Sequence, residues 1–157
     1  MKRFASLVLS LVMVLSLAIS SAGAVDITTG PVEVTVDGQE LIVEEKTPSV
    51  MPLYTAYTVF ETTRQAKQTL DTTFRCRAEY GNTCDVILKN NGSCDLIFEL
   101  FGGEYAKIVS PGLSDVAQIK PQDEDEPLQV TVDIKVTPVS NNPSGTYTVT
   151  ANQYNIP

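Results

Sequence analysis

The chain predicts an antiparallel all-β fold, and three observations carry that reading. Short stretches of alternating apolar and polar residues recur along it, as at 32–36, 128–137 and 146–151. Glycine, proline and asparagine interrupt them about every ten residues, where turns belong. No long stretch repeats its apolar residues with the helical period. A period of two sends alternate side chains to opposite faces of a strand, so each stretch has one face to bury.

The first element is the sharpest. Val32, Val34 and Val36 alternate with Glu33 and Thr35, Asp37-Gly38 follows, and Leu41-Ile42-Val43 come next. An Asp-Gly pair supplies the two positive-φ positions of a two-residue hairpin loop. That loop sets Val34 opposite Leu41 and Val32 opposite Val43, all on one face, so pattern and turn agree. Residues 44–52 read as a connection and 53–61 as a strand rich in Tyr, Thr and Val. At 62–70, Arg64, Ala66, Lys67 and Gln68 permit a short helical turn, while the threonines oppose a long one.

In the middle of the chain, three stretches have clear apolar faces: Phe74, Cys76 and Ala78; Cys84, Val86 and Leu88; Cys94, Leu96, Phe98 and Leu100. The loops 79–81 and 90–92 each end in glycine, as three-residue hairpin loops prefer. Two such hairpins would set Cys76 opposite Cys84, Val86 opposite Leu96 and Leu88 opposite Cys94. Residues 86–98 resemble the strand–Asn-Gly–strand hairpins of bacterial extracellular immunoglobulin-like modules. Further strands are expected at 105–109, 114–119, 128–137 and 146–151, with an acidic turn at 121–127. Eight to ten short strands indicate a β-sandwich of immunoglobulin-like type, with a jelly roll or a small β-barrel as alternatives. The tryptophan that marks an antibody domain is absent.

The first 24 residues have a different character. Lys2 and Arg3 precede an apolar run at 4–19, and Ser20-Ser21-Ala22-Gly23-Ala24 follow. A basic start, an apolar middle and an A-x-A-type site are the parts of a secretory signal peptide. The run is short of the roughly 20 residues a membrane-spanning helix needs. The expected organisation is a signal peptide at 1–24 and one secreted domain at 25–157, with no integral membrane segment after cleavage. The chain has 11 basic and 19 acidic side chains, a formal charge of −8. Losing Lys2 and Arg3 leaves 9 basic side chains and a charge of about −10. Nucleic acid and anionic membranes are therefore unsuitable partners.

The chemistry open to the chain is narrow. It contains no histidine, so Ser-His-Asp and Cys-His catalysis and histidine-held metals are excluded. Three cysteines are present, and export favours a disulfide, with Cys76–Cys84 the pair the hairpin register selects. Asp123, Glu124, Asp125 and Glu126 concentrate oxygen ligands on one turn and are the candidate site for Ca2+, although their spacing is not an EF-hand. Six tyrosines are the aromatic contact candidates, with Tyr80 foremost because it is expected at a hairpin tip, whereas Tyr147 is expected in the core. No catalytic residue is assigned. The expected function is a secreted, non-enzymatic protein with a binding or cell-surface structural role, its partner an extracellular protein or a glycan. One alternative is a subunit of a filament or surface layer assembled by strand exchange, with the 32–43 segment donated. Another is a carboxylate-dependent hydrolase.

Overall fold

The computed structural model describes residues 26–47 and 55–156. Among these, ten strands follow one another: β1 (Val32–Val36), β2 (Gln39–Glu45), β3 (Tyr57–Gln65), β4 (Leu70–Arg75), β5 (Thr83–Gly92), β6 (Leu96–Leu100), β7 (Tyr105–Val109), β8 (Ser114–Pro121), β9 (Thr131–Pro138) and β10 (Gly145–Tyr154). They form two antiparallel sheets, of order β1-β2-β8-β5-β10-β3 and β4-β9-β6-β7. The architecture is a two-sheet β-sandwich. The expected leader at 1–24 and Tyr54 lie outside the described residues. Among those described, no helix is long and apolar enough to cross a membrane.

The core fills the space between the sheets, and alternation determines who enters it. From the large sheet come Leu41, Val43, Val86, Leu88, Ala117, Ile119, Tyr147, Val149 and Ala151. The small sheet answers with Leu70, Phe74, Leu96, Phe98, Leu100, Tyr105, Val132, Ile134 and Val136. The β1–β2 hairpin has the expected register, Val32 with Val43 and Val34 with Leu41. Its turn residues Asp37 and Gly38 have φ of 52° and 83°.

The two mid-chain hairpins are corrected. β4 pairs with β9 in the small sheet, whereas β5 pairs with β8 and β10 in the large one. The segment 76–82 is thus a crossing from sheet to sheet, and Cys76 is not the strand partner of Cys84. β5 runs on through Gly92, which pairs with Gly145 of β10, and the chain then crosses back to β6. Residues 93–95 are accordingly a second crossing, and the Val86–Leu96 and Leu88–Cys94 pairings are absent. The physical reason is simple. Alternation tells which side chains face the core, and in a sandwich both sheets face the same core. Most of the expected inward residues are buried, Cys76, Cys84, Val86, Leu88, Leu96, Phe98 and Leu100 fully, but Cys94 is half-buried, Ala78 is exposed, and the buried ones are divided between the two sheets.

The 62–70 ambiguity resolves into strand and turn: β3 continues to Gln65, and Gln68 N donates to Gln65 O at 2.9 Å before β4 begins. Tyr147, expected in the core, is fully buried there.

Candidate functional site

One end of the sandwich gathers the β1–β2 turn, the 76–82 crossing, the 122–130 segment and the last residues of β10. Hydrogen bonds tie these together: Leu128 N to Gly81 O at 3.1 Å, Thr131 N to Asp37 Oδ2 at 2.8 Å, and Asn82 Nδ2 to Glu124 O at 2.9 Å. Gly81 is what lets the crossing lie so close. Its φ is 121°, and a Cβ there would sit 2.3 Å from the Tyr154 carbonyl carbon. Only glycine fits such an approach.

Tyr80 ends a short 3-10 turn, Ala78–Tyr80, within this crossing, so it is not at a hairpin tip. Its ring stacks on Tyr57, the first residue of β3, with centroids 4.6 Å apart and planes inclined by 22°. Tyr57 is 45% exposed and Tyr80 half-buried. The pair borders a shallow hollow of about 570 Å3 with Thr55, Glu79, Gly81 and Asn155 around it. Arg77 sits 3.5 Å from Glu79. Flat apolar rings beside a carboxylate, an amide and a hydroxyl suit a ligand with one apolar face and a polar edge.

A second hollow, of about 440 Å3, lies between Gln118, Lys120, Glu124, Asp125 and Asn155. The acidic turn forms one wall. Asp123, Glu124, Asp125 and Glu126 are all exposed. Asp123 serves its own turn, its Oδ1 accepting from Asp125 N at 3.1 Å and its carbonyl from Glu126 N at 3.0 Å. Among the described residues, no three or more carboxylate or thiol side chains converge as a metal site.

Cys76, Cys84 and Cys94 are free thiols, the first two fully buried and the third half-buried. Cys76 and Cys84 belong to the same core cluster, but the disulfide expected between them is not formed. The neighbouring Cys76 thiol and burial hold Cys84 well above the ordinary thiol range.

Among the described residues, two buried carboxylates escaped the sequence, because alternation places them without saying what covers them. On the outer face of the large sheet, Asp85 accepts from Gln118 Nε2 at 3.0 Å, Tyr154 OH at 3.0 Å and Lys46 Nζ at 3.3 Å. Lys46 also donates to Tyr154 OH at 3.0 Å. Partial burial pulls Lys46 down, but the Tyr154 hydrogen bond and the Asp85 charge outweigh it and hold it above the usual lysine value. Elsewhere, Tyr105 OH donates to Asp115 Oδ2 of β8, in the large sheet, at 3.0 Å. Burial raises the pKa of Asp115 despite that bond. Each of these carboxylates is neutralised or bonded by its own partners, and they do not face each other as a paired acid and base.

The threonines of β10 lie on the outer face, where Thr148 Oγ1 is 3.0 Å from Thr63 Oγ1 of β3. Comparison with protein-family models, curated proteins and solved structures finds no match to the chain.

Proposed function

We propose that the chain is exported and acts without catalysis, as an extracellular β-sandwich that binds a surface protein or a glycan. The observation that supports this reading is the Tyr57–Tyr80 stack, a pair of aromatic rings left at the surface beside polar groups. Tyrosine costs little side-chain entropy to order and offers both an apolar face and a hydroxyl, which suits it to contact sites. Loops at the end of a rigid sandwich are natural places for such contacts. The leader supports export, because a basic start, an apolar run and a small-residue site stand together.

The test has two arms. Cells making the chain should release protein whose intact mass begins at Val25, and retention of the Met1 end would overturn export. Released protein is then applied to a glycan array and to a panel of extracellular proteins. Loss of the strongest signal in Tyr57→Ala and Tyr80→Ala, with folding unchanged by circular dichroism, is the expected result. A signal indifferent to both variants would remove the aromatic site.

A second reading, assembly by strand exchange, draws support from β1. Among the described residues it lies at the sheet edge and pairs only with β2, so it is the strand most easily given to a neighbour.

A further inference from the structure

We propose that Cys76 and Cys84 become joined by a disulfide that ties the two sheets together, leaving Cys94 as the free thiol. Cys76 directly follows β4 of the small sheet, and Cys84 lies near the start of β5 in the large one. Both are fully buried in the same core cluster. Their proximity also follows from a neighbour. Gln153 is the strand partner of Cys84, and its side chain reaches across the interior to Arg77, the residue after Cys76. Arg77 N donates to Gln153 Oε1 at 2.9 Å, and Gln153 Nε2 donates to Arg77 O at 2.8 Å. Gln153 thus ties β10 to the residue after Cys76, which brings both cysteines, present here as free thiols, into one layer of the core. Cys94 sits at the start of the other crossing, half-buried and packed on the rim of the core.

The bond forms by thiol–disulfide exchange with an external disulfide, such as oxidised glutathione or a disulfide of an oxidising protein. One cysteine thiolate attacks the external disulfide and expels a thiolate, giving a mixed disulfide. The second cysteine thiolate then attacks its own partner's sulfur and expels the other external thiolate. Both S–H protons pass to solvent or to the departing thiolates, and the external disulfide is reduced to two thiols. The closed sandwich gives no access to either sulfur, so exchange belongs to folding, before the sheets close. The oxidant in the cell comes with the export reading, whereas the bond itself is tested on purified protein.

Reduced, denatured protein is refolded in a glutathione redox buffer, denatured again without reductant and alkylated. The expected product carries one alkyl group, at Cys94, and before alkylation has a mass about 2 Da below the reduced chain, two hydrogens lost. Cys94→Ala should carry no alkyl group, and Cys84→Ala should leave Cys76 open to alkylation. Three alkylated thiols in the wild type, or a bond that includes Cys94, would overturn the proposal. Failure of export would show separately, as cell-derived protein retaining its Met1 end.

Discussion

At the scale of single residues, buried polar side chains hold more of this sandwich together than their number suggests. Gln153 is fully buried, and its amide nitrogen lies 2.8 Å from the carbonyls of Arg77 and Gly81 and 3.0 Å from that of Leu128. Its oxygen takes the Arg77 N–H. Replacing it by alanine strands several backbone groups in the interior, each costing about 1–3 kcal/mol where water cannot reach it. Gln153→Ala should therefore lose about 3 kcal/mol or more, read as a lower urea midpoint with unchanged slope. Asp115 acts in the opposite sense. Its folded pKa is raised, so the folded state prefers the protonated form. The cost of ionising it is absent below the unfolded carboxylate value of about 3.9 and grows as pH rises through the folded one. Asp115→Asn keeps an acceptor for Tyr105 OH and removes that cost. The variant should melt higher than wild type at pH 7, and the gap should close toward pH 3 in a thermal scan.

At the scale of elements, what was legible depended on whether a turn carried its own instruction. The β1–β2 hairpin was readable because Asp37-Gly38 demands positive φ at both positions, and the register follows from loop length alone. Nothing lies within 4 Å of a Cβ built at Gly38, so only its φ of 83° resists substitution. Gly38→Ala should cost about 1 kcal/mol, and Gly38→Asn clearly less, because asparagine tolerates that region. Equal losses in the two variants, measured by chemical denaturation, would show that the turn is not the cause. Gly81 and Gly92 carried no such instruction. Gly81 serves the close pass of a crossing against Tyr154, and Gly92 pairs with Gly145 inside the large sheet. Both glycines read as hairpin loops, because a core-facing pattern fits either sheet. The candidate site was legible only at Tyr80. Its partner Tyr57 lies 23 residues earlier in the chain, and only the crossing brings them together.

At the scale of the whole molecule, the open edges decide between a separate binding protein and an assembling one. The large sheet ends in β1 and β3, the small one in β4 and β7. β7 is partly capped, since Thr28 N donates to Ala106 O at 2.9 Å and Thr28 Oγ1 accepts from Ala106 N at 2.8 Å. Along β3, Glu61, Arg64 and Gln65 are exposed, and charge on an edge discourages further pairing. β1 presents Glu33 and Thr35 outward, while Val34 and Val36 pack against the core. To donate β1, a molecule would have to strip Val34 and Val36 from its own interior, and a neighbour would have to offer an equivalent place. The acidic charge adds a repulsion between copies that salt screens within about 10 Å at 0.1 M and 3 Å at 1 M. Sedimentation velocity over a hundredfold range of concentration, at both salt levels, separates the cases. A monomer throughout is the expected outcome for the binding reading. Growth with concentration at low salt that Val34→Lys abolishes would instead establish strand exchange. Growth only at 1 M salt that Val34→Lys leaves intact would mark association through a face rather than through the β1 edge.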